Sequence, residues 1–128
     1  MATILVVDDE PLIAMALEAA LEDAGHRVTT AANGRQALEK MAGTAPPDLV
    51  LLDMMMPVMN GPAMLAAMAA DPRLRATPVI VVSSLTEAKI RTLTTGFVAT
   101  LQKPYTVHEV LGLVEQVLGK VAEADNLG

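Results

Sequence analysis

The sequence predicts an α/β domain built on a five-stranded parallel sheet. Three observations carry that reading. Short, continuous, branched-aliphatic runs recur at Thr3-Ile4-Leu5-Val6-Val7, Leu49-Val50-Leu51-Leu52 and Val79-Ile80-Val81-Val82, the pattern of strands buried on both faces. Each run stops at polar residues: Asp8-Asp9-Glu10, Asp53 and Ser83-Ser84 respectively. Between the runs lie stretches with helical spacing, and strands that alternate with helices make parallel sheets covered on both faces.

In chain order, Pro11 follows the first acids and suits the first turn of a helix. Ile13, Leu17, Ala20, Leu21 and Ala24 then recur at helical spacing from Leu12 to Ala24, and Gly25 supplies a stop. Arg27 to Ala31 reads as a short strand with polar positions, and Gly34 to Met41 as a helix with Ala37, Leu38 and Met41 inward. Ala45-Pro46-Pro47 leads into the central run, and Pro57, Asn60 and Gly61 break the chain beyond it. A third helix runs to about Ala70, with Met64, Leu65 and Met68 on one side, and Asp71-Pro72 ends it. A weakly periodic helix covers Glu87 to about Thr94, and a strand of mixed polarity is expected over Phe97 to Leu101. The last helix spans Val107 to Val121, with Val110, Leu111, Val114, Val117, Leu118 and Val121 in register. One domain over 1–121 is expected, followed by a flexible tail over 122–128. The purely apolar runs belong in the middle of the sheet, and the strands carrying Arg27, Thr29, Thr30, Thr100 and Gln102 at its edges. Order 2-1-3-4-5 satisfies that.

Composition excludes several function classes. The 128 residues suit one domain with its own core. There is no cysteine, so disulfides and thiolate metal sites are excluded. The formal net charge is -6, and the nine Lys and Arg are scattered rather than gathered in a patch, so direct nucleic-acid binding is not expected. No apolar run approaches the roughly 20 residues of a membrane helix, and Met1-Ala2-Thr3 does not read as a signal peptide. A cytoplasmic protein without membrane insertion is expected. The nine methionines read as flexible core fillers in a chain with only Phe97 and Tyr105 as aromatics.

In a parallel sheet all carboxyl ends of strands lie on one edge. Asp8, Asp9 and Glu10, then Asp53, then Ser83, then Lys103 therefore converge on one cleft at the switch point between strands one and three. Carboxylates that close call for a cation. Magnesium answers this chemistry, since it takes one or two carboxylates and shares phosphate oxygens. Asp53 is then a candidate nucleophile of an aspartyl phosphate, with Lys103 and Ser83 holding the other phosphoryl oxygens. Taken singly, Asp8 or Asp9 would read as a helix N-cap, Asp53 as a turn former, Ser83 as structural and Lys103 as a solvated lysine. Four such residues at four strand ends outweigh those readings. His26 and His108 lie far from these ends and are expected at the surface.

Val7-Asp8-Asp9-Glu10, Asp53 through Gly61, Pro78 through Ser84, and Lys103-Pro104 together resemble the receiver domain of two-component response regulators, the chemotaxis regulators among them. The resemblance covers about residues 3–120 and implies a flavodoxin-like fold with five helices. It implies that Asp53 is phosphorylated by a histidine kinase or histidine phosphotransfer protein. It implies that Mg2+ is bound directly by Asp9, Asp53 and the carbonyl of Met55, with Asp8 acting through a metal-bound water. Ser83 and Lys103 would be the switch hydroxyl and the phosphoryl-pairing lysine. The face of the fourth helix, fifth strand and fifth helix would respond and bind a downstream protein, with the chain a monomer or a phosphorylation-dependent dimer. Such a domain catalyses only its own phosphorylation and dephosphorylation and is not otherwise an enzyme.

The pattern departs from the family at Thr100, where a Tyr or Phe is usual. Movement of Ser83 and the fourth helix without an aromatic rotation is therefore expected, with Tyr105 a packing residue. Met55 and Leu85, two residues beyond Asp53 and Ser83, predict restricted water access and a long-lived phosphoryl group. A stand-alone receiver is favoured over a phosphate relay or sink cut from a hybrid kinase. A magnesium-dependent aspartyl-phosphate phosphohydrolase would want a second acid where Met55 stands. A nucleotide-binding domain would want a Gly-rich loop where Asp8-Asp9-Glu10-Pro11 stands.

Overall fold

The computed structural model describes residues 1–127, and side chains through Glu123. Five strands alternate with five helices: β1 Thr3–Val7, α1 Pro11–Asp23, β2 Arg27–Ala31, α2 Gly34–Ala42, β3 Leu49–Asp53, α3 Gly61–Ala70, β4 Val79–Ser83, α4 Glu87–Leu93, β5 Ala99–Gln102 and α5 Val107–Leu127. All pairings are parallel and the order is β2-β1-β3-β4-β5, with the two polar strands at the edges as predicted.

Alternation along the strands divides the core in two. Leu5, Val7, Val50, Leu52, Val79 and Val81 face one way, onto Ala37 and Met41 of α2, Met64, Leu65 and Met68 of α3 and Ile90 of α4. Ile4, Val6, Leu49, Leu51, Ile80 and Val82 face the other way, onto Ala14, Leu17 and Leu21 of α1 and Val110, Val114 and Val117 of α5. Every residue of β3 and β4 is buried, which is why those segments carry no solvent-face alternation.

The structure corrects several sequence expectations. β5 spans Ala99–Gln102 rather than Phe97–Leu101: Val98 N–H makes the first bond to β4, at Val79 O, while Phe97 lies before the strand with its ring packed on the α2–α3–α4 core. α5 runs to Leu127, past the last periodic residue Val121. Ala122 and Glu123 are good helix formers, so propensity extends the helix where burial no longer requires it. Gly128, the end of the expected tail, lies outside the described residues. Of the methionines, Met41, Met54, Met64 and Met68 fill the core as expected, but Met15 and Met55 are exposed.

His26 is not a surface residue. Its side chain is only 6% exposed; Nε2 lies 2.9 Å from Glu115 Oε1, and Nδ1 accepts from Ala2 N–H at 3.3 Å. It therefore ties the start of the chain and α5 together at the end of the sheet away from the acids. His108 is exposed, as expected.

Candidate functional site

Among the described residues, the polar or charged residues buried as a whole are Asp8, Asp53 and Ser83, at 4%, 7% and 4% exposure. All three sit at the carboxyl ends of neighbouring strands β1, β3 and β4. Register brings them level: Val7 pairs with Leu52, Asp53 with Val82, and Ser83 with Gln102. Lys103, next after β5, is anchored by its N–H to Ser83 O at 2.8 Å. The four strand ends named from the sequence thus meet in one cleft.

Neither Asp8 nor Asp9 caps α1; the residue in that position is Glu10, with no side-chain cap. Asp8 Oδ1 instead accepts from Glu10 N–H at 2.9 Å, which folds the β1–α1 turn back over the sheet edge. One carboxylate oxygen from each of Asp8, Asp9 and Asp53 lies within 4.8 Å of the others. Three hard anionic donors at that spacing fit a divalent cation such as magnesium. Met55 follows in the β3–α3 loop, with its side chain 76% exposed. Lys103 Nζ is 3.5 Å from Asp53 Oδ1, an ion pair at the long limit of a hydrogen bond. Ser83 Oγ accepts from Leu85 N–H at 3.0 Å.

Tyr105 packs half-buried on the α1–α5 side, and Leu85 half-buried on the α2–α4 side. Thr100 Oγ1 donates to Glu87 Oε1 at 3.1 Å. The sequence reading named Thr100 but not its partner. The available signal was an acid in the first turn of α4 opposite an unexpected hydroxyl on β5.

Loss of hydration through burial pushes the Asp53 carboxyl above its ordinary value, against the pull of the Lys103 ammonium; the charge of Asp9 adds to the rise. Burial likewise raises Asp8, against its hydrogen bond from Glu10 N–H, and the charge of Asp53 adds to it. Burial, then the charges of Asp8 and Asp53, raise the Tyr105 phenol. These shifts have a sign for stability. A carboxyl raised in the native state contributes stability below its ordinary value of 3.8 and loses it as pH rises through the native value. In metal-free protein, Asp53→Asn is therefore expected to raise stability at pH 7 by about 1 kcal/mol. The gain shrinks to nothing as pH falls below the ordinary carboxylate range. Denaturant melts of both proteins with a chelator, at neutral and acid pH, check this; equal midpoints at pH 7 would refute it.

Among the described residues no helix is long and apolar enough to cross a membrane. The family model for the response regulator receiver domain matches residues 4–115. The transcriptional regulatory protein KdpE of Mycobacterium tuberculosis is 34% identical over 129 residues, covering 99% of this chain and 55% of its own length. This chain thus spans about half of such curated relatives. The Vibrio cholerae chemotaxis protein CheY4 superposes with a TM-score of 0.85 at 31% identity, covering 91% of this chain and 98% of that one. The receiver domain of the Pseudomonas aeruginosa sensor histidine kinase PA1611 gives a TM-score of 0.84 at 28% identity, with 92% and 98% covered. That structure has a magnesium ion coordinated in its active-site cleft. Strand order, the acid cleft and these matches agree over almost the whole length, and the chain belongs to the receiver domain family of two-component response regulators.

Proposed function

We propose that Asp53 accepts a phosphoryl group from a histidine kinase or histidine phosphotransfer protein and that the domain acts in the cytoplasm as a phosphorylation-controlled binding switch. The observation that carries this is that, among the described residues, the polar or charged residues buried as a whole are Asp8, Asp53 and Ser83, all at one sheet edge. Burying such groups costs free energy, and a purely structural cleft would not concentrate that cost where it does no packing.

In the proposed reaction an Asp53 oxygen attacks the phosphorus of a donor phosphohistidine. The P–O bond forms as the P–N bond breaks, and the imidazole leaves with the electron pair and takes up a proton. The Lys103 ammonium holds one phosphoryl oxygen and shields Asp53 from the incoming charge. Ser83 turns its hydroxyl from Leu85 N–H towards another phosphoryl oxygen. Asp8, Asp9, Asp53 and the carbonyl of Met55 would hold a magnesium ion, which supplies neutralisation of the phosphoryl charge when bound. The exposed Met55 and the half-buried Leu85 flank the path by which water reaches the acyl phosphate. No chemistry beyond self-phosphorylation and dephosphorylation is assigned to the chain.

The phosphorylated domain presents α4, β5 and α5 to a downstream protein, alone or as a dimer. Relay of the phosphoryl group within a larger kinase is the second reading, favoured by the likeness to the receiver of a sensor histidine kinase. Intact mass after incubation with a small phosphoryl donor tests the chemistry. A single magnesium-dependent adduct is expected on wild type and none on Asp53→Asn. No adduct, with no phosphate released from the donor, would reject the reading.

A further inference from the structure

Along β5 the side chains alternate. Ala99 and Leu101 enter the α1–α5 core, while Thr100 and Gln102 point to the β4–α4 segment. Both make a hydrogen bond there: Gln102 Nε2 donates to Ser84 O at 3.3 Å, and Thr100 Oγ1 donates to Glu87 Oε1 at 3.1 Å. The segment they grip starts at Ser83 itself. Ser83 Oγ accepts from Leu85 N–H, Thr86 caps α4 by accepting from Lys89 N–H at 3.2 Å, and Glu87 is the first residue of that helix. The second oxygen of Glu87 lies 3.3 Å from Arg91 Nε, and the Arg91 guanidinium sits 5.0 Å from the Phe97 ring centroid. A continuous series of contacts therefore leads from the hydroxyl beside Asp53 to an exposed cation and a ring on the α4–β5 side.

We propose that the Thr100–Glu87 hydrogen bond is a latch that holds α4 on β5 while Asp53 is unmodified and opens when Ser83 turns to the phosphoryl group. This rests on the reading of Asp53 as phosphoacceptor. The physical argument is one of connectivity. Ser83 loses its bond to Leu85 N–H when its Oγ moves, so the two-residue link to the α4 cap is released from one end. Glu87 directly follows the Thr86 cap, so a displacement of the cap moves Glu87 away from Thr100, which is held on β5, and strains the bond between them. Opening frees Glu87 from Thr100 and shifts Arg91 over Phe97. A polar contact thereby does the coupling at a position where an aromatic side chain would otherwise rotate, and its strength sets the resting balance of the two states.

The test uses Thr100→Val, which keeps the shape and removes the hydroxyl, Thr100→Ser, which keeps the hydroxyl, and beryllofluoride with magnesium as the phosphoryl mimic. In unliganded, metal-free Thr100→Val, the Phe97 ring and Ile90 methyl resonances should move part-way from the free towards the mimic-loaded wild-type positions. Mimic affinity should tighten about fivefold, the factor expected for one solvent-accessible hydrogen bond lost from the resting state alone. Thr100→Ser should match wild type, and Glu87→Ala should reproduce Thr100→Val from the other side of the bond. If both latch variants keep free wild-type resonances and wild-type affinity while wild type loads normally, the latch is wrong. If wild type itself neither loads the mimic nor takes a phosphoryl adduct, the phosphoacceptor reading fails and the latch with it.

Discussion

Lys103→Met is expected to slow phosphorylation of Asp53 by a small phosphoryl donor by two to three orders of magnitude at fixed magnesium, about 2.7–4 kcal/mol of transition-state stabilisation. The side chain is 24% exposed and reaches into a cleft where Asp53 is 8% exposed, so its charge acts in partly excluded water. At 3.5 Å from Oδ1 the ammonium pairs with Asp53 at the long limit of a hydrogen bond and is near enough to stabilise charge that gathers on an incoming phosphoryl oxygen. Methionine keeps the length and the apolar stem and removes only the charge. The same substitution removes the largest pull that opposes burial at Asp53, so its carboxyl rises further. Lys103→Arg should recover only part of the rate, because a planar fork does not replace a point charge. Initial rates from intact mass, with thermal melts to show the variant is folded, decide it; a rate within threefold of wild type would exclude the role.

The residues in that argument were legible in the sequence for a specific reason. A parallel sheet sends every strand's end to the same edge, so locating four strand ends locates the site, and no contact between them has to be foreseen. Leu49 to Leu52 and Val79 to Val82 are long enough apolar runs to mark those ends without ambiguity. The polar residues of Arg27–Ala31 and of the fifth strand marked those two strands as edges, and the order of the three strands between them rested on the resemblance to the receiver family.

What the sequence hid depends on partners distant along the chain. His26 and Glu115 are 89 residues apart, and a lone histidine before a polar strand carries no sign of its cover. Thr100 meets Glu87 because β5 lies beside α4, a neighbour relation with no local pattern. Phe97 looked like the start of a strand because it is apolar, whereas its ring packs on the core from a loop. Val58 adopts a positive φ of 67°, a conformation its β-branched side chain disfavours and its sequence neighbours do not announce. In each case the element's own periodicity is uninformative and the tertiary neighbour decides.

Gly61→Ala is expected to lower stability by about 2–3 kcal/mol and, by displacing the acid cleft, to slow phosphorylation by around a hundredfold. A Cβ at residue 61 would lie 2.8 Å from Asp53 O and 3.0 Å from Met54 Cα. Both are backbone atoms at the end of a central strand, and Asp53 is held in register with Val82, so neither can retreat alone. The chain must instead give way at the start of α3, where Gly61 N–H donates to Met54 O at 3.0 Å and Asn60 caps the helix through Ala63 N–H. Shifting that junction moves the Met54–Met55 backbone, which includes the carbonyl assigned to the cation. Glycine is needed here by close approach and not by backbone angle, since a positive φ is found at Gly25 and Gly96 but not at Gly61. The control follows from that distinction. Gly112→Ala places a Cβ in open space within α5 and should leave stability equal or slightly higher. If Gly61→Ala melts with wild type and is phosphorylated at the wild-type rate, the junction is softer than its packing implies. If it melts early but is phosphorylated normally, the loop moves without carrying the site. Loss of both together is the expected result, because the strand end that buries Asp53 and the turn that starts α3 are the same few atoms.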